Sequence, residues 1–171
     1  LATIPLFDKD LANTDTPVII SAISGISGAG KSPCANNLFC NVGESAQAYS
    51  AGKHRHTPEI SQTLSYVANK KIQVSFTPHL APMNRGLLAT AYIQLKDKTL
   101  TLNQVVDAYT SFYSDKPFVH VLDKHPRTDY ATGTNNAFIG VSLYAATNTV
   151  IASCAIDNLV KGSGGQSVQC A

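Results

Sequence analysis

The sequence predicts an α+β domain in which a mixed, largely antiparallel sheet carries helices on one face. Three observations lead there. In residues 87–96, Leu87, Ala89, Ala91, Ile93 and Leu95 alternate with Leu88, Thr90, Tyr92, Gln94 and Lys96, the period-two pattern of a strand with one covered face. Residues 138–146 and 150–156 are two apolar runs joined across the short polar stretch "TNT", which reads as a hairpin. Leu102, Val105, Val106, Tyr109, Phe112 and Tyr113 recur at helical spacing, and Thr101 with Gln104 has the form of a capping box.

The remaining elements follow in order along the chain. "LATIPL" reads as the end of a helix, and Val18–Ser24 as a buried β-branched strand. A glycine-rich loop comes next, then a short helix around Cys34–Asn41. Thr57 is a natural N-cap, Pro58 suits a first helical turn and Glu59 suits the positive helix end. Ile60, Leu64 and Val67 then share a face, so a helix is expected from about Pro58 to Asn69. Gln73–Leu80 and Phe118–Leu122 are strands, and Asp123–Asn136 is a polar loop. Asp157 caps a last helix whose glycines allow close backbone approach.

Composition narrows the function classes. The chain has 171 residues, 44% of them hydrophobic and 14% charged. That length suits one domain, and the low charge points to surface covered by a partner or a second domain. A net charge of +2 without a basic block gives no footprint for nucleic acid. No apolar stretch is long enough to span a bilayer, and no secretory leader is visible, so a cytoplasmic location is expected. The missing initial Met suggests a piece of a longer protein. Cys34, Cys40, Cys154 and Cys170 have no zinc or redox spacing and are read as free thiols, with no metal expected.

Three segments carry chemistry. Gly25–Ser32, within "SGISGAGKS", matches the G-x-x-x-x-G-K-[ST] phosphate loop of nucleotide triphosphatases. Its context is wrong for that function: Pro33 follows directly, the next helix is short and polar, and the later strands do not form a parallel βα repeat. "KHRHTPEI" sets His54, Arg55 and His56 immediately before a capped helix. In an extended segment these two histidines point to opposite sides, one able to face a site and one structural. "FTPHLAPMNRG" places His79 and Arg85 at a connector with two prolines, a rigid mount for a guanidinium fork toward carboxylate or phosphate. From local sequence alone, a solvated loop explains the histidine segment and an ordinary strand connection explains the arginine equally well. His120 and His125 receive no role.

"SGISGAGKS", "FCNVGESAQAYSAGKHRHTPEISQ", "VSFTPHLAPMNRGLLATAYIQL" and "IASCAIDNLVKGSGGQSVQ" together resemble the N-acetyl-gamma-glutamyl-phosphate reductases of arginine biosynthesis, in order along nearly the whole chain. The resemblance implies residues 1–171 as a single catalytic and dimerisation domain like the C-terminal domain of glyceraldehyde-3-phosphate dehydrogenase. It also implies an accompanying Rossmann domain that this chain lacks. The nucleophilic cysteine of a "GCYPT"-type segment would lie upstream of Leu1, so this piece alone is expected to be inactive. In the whole enzyme, that cysteine attacks the acyl phosphate of N-acetyl-glutamyl phosphate, phosphate leaves, and hydride from NADPH reduces the thioester to the semialdehyde. His54 or His56, with His54 preferred, manages the protons. Arg85 and Arg55 hold anionic groups, and Ser24, Gly25, Ser27 and Gly28 line the acyl centre with small side chains and backbone N–H groups. Asn158 reaches toward the nicotinamide of bound NADP. The implied partners are a small acyl-phosphate substrate, the Rossmann domain and further copies in a dimer or tetramer, with dimerisation through the exposed sheet face. Neither nucleic acid nor membrane is among them. An aspartate-semialdehyde dehydrogenase-like domain, or an assembly module without catalysis, is the alternative.

Overall fold

The computed structural model describes residues 1–30, 32, 35 and 38–171. Lys31 and Cys34 therefore lie outside the described residues, as does most of the expected helix over 34–41. A four-residue helix, α2 (Phe39–Val42), covers its end.

Among the described residues seven strands form one mixed sheet: β1 (Val18–Gly25), β2 (Gln47–Ala48), β3 (Val74–Ala81), β4 (Leu87–Gln94), β5 (Val119–Leu122), β6 (Ala137–Tyr144) and β7 (Thr149–Ile156). Their spatial order is β2-β3-β1-β4-β7-β6-β5. The β4–β7 and β6–β7 ladders are antiparallel over eight residue pairs each, as the period-two patterns require. The parallel pairs are β1–β3 and β5–β6. In the first, α3 (His56–Ala68) is the crossover. The hairpin turns at residues 145–148, where Asn148 takes a left-handed conformation at φ 52°.

The helices cover one face. Val18, Ile20, Ala91, Ile93, Val150, Ala152, Ile139 and Val141 point into it and form the core. From α3, Leu64 is buried and Ile60 and Val67 pack beside it, the face read from their spacing. α4 (Leu102–Phe112) starts at a complete capping box of Thr101 and Gln104 and buries Val105 and Tyr109 entirely, a contribution of about 1.5–3 kcal/mol for each large apolar side chain. Leu102 is 41% exposed, so the apolar stripe begins one turn later than expected. The hydroxyls of Tyr109 and Tyr113 donate to the Ala2 and Leu1 carbonyls, both at 2.6 Å, and fasten α4 to the segment that enters α1 (Ile4–Asp8).

The opposite face is partly open. Ile19 is 52% exposed, Ile23 40% and Tyr92 39%, and the register sets Ile19 beside Tyr92 and Ile23 beside Leu88. Over β6 and β7 this face is covered by the stretch read as a polar loop. His125 bridges the Ser153 and Ser142 hydroxyls at 2.6 and 3.1 Å, and His120 stacks on Phe138. No helix is long and apolar enough to cross a membrane among the described residues.

Candidate active site

Most of the expected site residues converge where β1, β4 and β7 present their loops at one end of the sheet. Gly25 donates to the Gly86 carbonyl at 2.9 Å, Ile26 to Met83 at 2.9 Å and Ser27 to Asn84 at 3.2 Å. The Ser27 hydroxyl also donates to Asn84, at 2.5 Å. Gly25 has to be glycine for this contact, since a Cβ there would sit 2.8 Å from the Asn84 carbonyl oxygen and 2.9 Å from that of Met83. These three backbone donors are thus committed to the connector. The loop then closes in a 3-10 turn, Ile26–Ala29.

Asp157 and Asn158, directly after β7, lock this arrangement. Asn158 accepts from the Gly86 N–H at 2.8 Å and donates from Nδ2 to the Ser27 hydroxyl at 2.9 Å. It therefore ties the glycine loop to the connector and is only 8% exposed. Gly28 and Ser24 sit against the same amide: a Cβ on Gly28 would lie 3.3 Å from both Asn158 Nδ2 and Ser24 Oγ. Asp157 is fully buried. Its Oδ1 accepts from the Leu159 and Val160 N–H groups at 2.8 and 3.1 Å, the expected helix cap. Its Oδ2 accepts from the Gly133 N–H at 2.7 Å and from Arg85 Nη1 at 3.2 Å. Burial alone would raise the carboxyl, but those backbone N–H groups and the guanidinium outweigh it and hold Asp157 below the usual carboxylate range. The last helix is a π-helical turn, Val160–Gly164, running into α5 (Gly165–Cys170). Its Gly165 lies against the Asn135 side chain and Val160, so close approach here is made within the chain.

His54, Arg55 and His56 lie elsewhere. α3 starts at His56 with Arg55 at its N-cap. Thr57 is therefore already inside the helix and does not cap it, and its hydroxyl is buried without a partner among the described residues. The helical turn at Arg55 also overturns the expectation of opposed histidines. The backbone coils rather than extends, and the two rings meet edge to face with centroids 4.8 Å apart. His54 also packs on Phe76 at 5.2 Å and Tyr49 at 5.6 Å. Burial, then the charges of His56 and Arg55, pushes the His54 pKa down and favours its neutral form. The His56 N–H donates to His54 Nδ1 at 3.3 Å, which leaves the proton of the neutral ring on Nε2.

Phe76 pairs with Ile20, whereas the glycine loop starts at Gly25. The contact of His54 with Phe76 therefore falls five residues along the β1–β3 ladder from the clamp formed by the glycine loop and its connector. Ser24, Gly25, Ser27, Gly28, Arg85 and Asn158 are brought together; His54, Arg55 and His56 form a second cluster. Beside that cluster lies a cleft of about 690 Å³, lined by Lys53, His54, Arg55 and Lys71 and by no carboxylate. It suits an anion. Cys40 and Cys170 are exposed and Cys154 is buried in the core; all three are free. Among the described residues no three His, Cys, Asp or Glu side chains are placed to hold a metal. The structural role of Asp157 toward Arg85 and Gly133 is absent from the sequence reading, which saw only the cap. The partners lie 72 and 24 residues away, beyond any local pattern.

Comparisons with known proteins agree with this fold and these motifs. The family described as "Semialdehyde dehydrogenase, dimerisation domain" matches residues 1–158. N-acetyl-gamma-glutamyl-phosphate reductase of Campylobacter jejuni subsp. doylei is 46% identical over 171 residues, covering 99% of this chain and 49% of that protein. The reductase of the same name from Thermoanaerobacter pseudethanolicus is 47% identical over 154 residues, 89% of this chain and 44% of that protein. The chain thus spans about half the length of the curated relatives it matches. Among solved structures, aspartate semialdehyde dehydrogenase II from Vibrio cholerae superposes with a TM-score of 0.70 at 14% identity, over 97% of this chain and 56% of that one. Aspartate semialdehyde dehydrogenase from Francisella tularensis gives 0.67 at 15% identity, over 95% and 57%. At such identity the likeness speaks for the fold. The chain belongs to the semialdehyde dehydrogenase family, as its dimerisation domain.

Proposed function

We propose that residues 1–171 are the catalytic and dimerisation domain of a two-domain N-acetyl-gamma-glutamyl-phosphate reductase, which reduces N-acetyl-glutamyl phosphate to the semialdehyde with NADPH and releases phosphate. The observation that carries this reading is identity of 44–46% to reductases of that name across 99% of the chain. The carboxylate-free cleft beside His54, Arg55 and Lys71 supports an anionic substrate, and Arg85, 44% exposed at the clamp, supports a second anionic contact. NADP, when bound by the other domain, supplies the hydride.

This chain's own part is proton handling and anion binding. Neutral His54, its Nδ1 held as an acceptor by the His56 N–H, offers Nε2 as the proton-carrying atom. In the direction of acylation the ring takes the thiol proton at Nδ1, where it displaces the 3.3 Å contact from the His56 N–H, and the imidazolium gives its Nε2 proton to the oxygen of the forming hemithioacetal. Arg55 and Arg85 bind the substrate's charged groups. The glycine loop contributes its small side chains, since the Gly25, Ile26 and Ser27 N–H groups are spent on the connector and those of Gly28 and Ala29 lie within the 3-10 turn. Asn158 keeps a second Nδ2 hydrogen beyond the one given to Ser27, available to a carboxamide. The protein works in the cytoplasm.

The open face around Ile19, Ile23 and Tyr92 is the proposed dimer surface. Ile23→Lys should shift the chain from dimer to monomer in light scattering, whereas a monomeric parent at high concentration argues against this surface. The activity is tested with the two-domain protein carrying this chain, assayed for phosphate-dependent oxidation of N-acetyl-glutamate semialdehyde by NADP. Turnover that needs phosphate and is not matched by aspartate semialdehyde supports the reading; preference for aspartate semialdehyde overturns it.

A further inference from the structure

We propose that Asp157 is a positioning residue for Arg85: it holds one edge of the guanidinium so that the other faces outward as a fixed anion fork. The inference rests on the proposed role of Arg85 in binding the substrate's anionic group.

The geometry assigns the two carboxylate oxygens different tasks. Oδ1 takes the Leu159 and Val160 N–H groups and caps the last helix. Oδ2 takes Gly133 N–H and Arg85 Nη1. Four donors fill the acceptor capacity of a carboxylate, and Asp157 is fully buried while the Arg85 side chain is 44% exposed. The negative charge is therefore enclosed behind the guanidinium, not presented to a ligand beside it. A guanidinium carries five N–H donors, and among the described residues Arg85 uses Nη1 toward Asp157. Nε and Nη2 make up the other edge, the proposed anion fork.

Fixing the side chain before the ligand arrives matters because a free arginine loses rotamer freedom on binding. Arg85 is mounted on a short connector that is itself pinned. Gly86 N–H donates to Asn158, and the Met83 and Asn84 carbonyls accept from the glycine loop. Backbone and side chain are thus both set from the same dipeptide, Asp157-Asn158.

A cap alone would survive Asp157→Asn, since the amide oxygen can still accept from Leu159 and Val160. The other end becomes an NH2 that faces two donors, Gly133 N–H and Arg85, and releases the guanidinium. In the two-domain protein carrying this chain, D157N should raise the KM for N-acetyl-glutamate semialdehyde about fivefold or more, with kcat within about twofold. In an Arg85→Ala background the same change should raise KM no further. An unchanged KM in D157N, or the full increase repeated without Arg85, overturns the proposal. If D157N does not fold, or the parent protein lacks reductase activity, nitrogen-15 NMR of the parent chain decides. The Arg85 guanidinium should then show slow rotation and separate Nη signals while Arg55 shows averaged ones, and an averaged Arg85 signal overturns the proposal.

Discussion

Around Asp157 the polar atoms are paired and enclosed, whereas His54 and His56 are held by ring contacts near the edge strand of the sheet. The clamp joins three loops and the last helix through hydrogen bonds of fixed direction. Among the described residues the two imidazole rings take part in one hydrogen bond, from the His56 backbone N–H to His54 Nδ1. The difference separates two tasks of a site. Groups that define where a substrate sits profit from saturation, because every lost partner costs desolvation. A group that hands a proton to substrate has to keep an N–H in reserve, and the proposed role of His54 draws on its Nε2–H.

The sharpest way to break this contrast is to remove the clamp's centre. Asp157→Ala strands Gly133, Leu159 and Val160 N–H groups and frees Arg85, and should cost about 3–5 kcal/mol of stability in urea unfolding. Its pH dependence has a definite sign. The folded Asp157 carboxyl lies below its ordinary value of 3.8, so its contribution is complete above that value. It is lost as pH falls through the lower, folded pKa. The gap between parent and Asp157→Ala should therefore narrow below the ordinary value; a gap that widens in acid would contradict the hydrogen-bonded carboxylate.

A smaller effect is expected at Gly25, where alanine meets two backbone carbonyl oxygens that no rotamer change can move. Gly25→Ala should cost about 1–3 kcal/mol. A neutral result there would show that the loop and connector are not locked together.

The histidine side of the comparison should respond least in stability. His54→Phe keeps an aromatic ring against Phe76 and Tyr49 and should change unfolding free energy by less than about 1 kcal/mol. It should also remove a pH effect. The lowered His54 pKa means that below 6.5 the unfolded chain takes up a proton the folded chain resists, so the parent loses stability as pH drops from 6.5 toward the folded value. The variant should not show that loss.

How far the sequence carried this picture follows the range of the interactions. Strand β4, the β6–β7 hairpin and helix α4 repeat with fixed periods, and each is visible in its own residues. Pairing was partly visible: adjacent antiparallel strands with a tight turn declare themselves. The parallel pairing of β1 with β3 depends on a crossover of some fifty residues and leaves no local mark. Thr57 reads as a cap because its side chain suits one, yet Arg55 takes helical angles and starts α3 earlier. The same early coil brings His54 and His56 together where an extended chain would part them. Of the clamp, Arg85, Asn158 and the glycine loop were recognisable from motifs. The bond from Asp157 to Arg85 was not, since it joins residues 72 apart through a buried oxygen.

The central claim, that the histidine cluster does the proton chemistry while the clamp holds the substrate, is tested most directly by turnover. In the two-domain protein carrying this chain, His54→Asn and His56→Asn are compared with the parent in phosphate-dependent oxidation of N-acetyl-glutamate semialdehyde by NADP. The account predicts that kcat falls by about 100-fold or more in His54→Asn with the fold intact. Full turnover in both variants would contradict it.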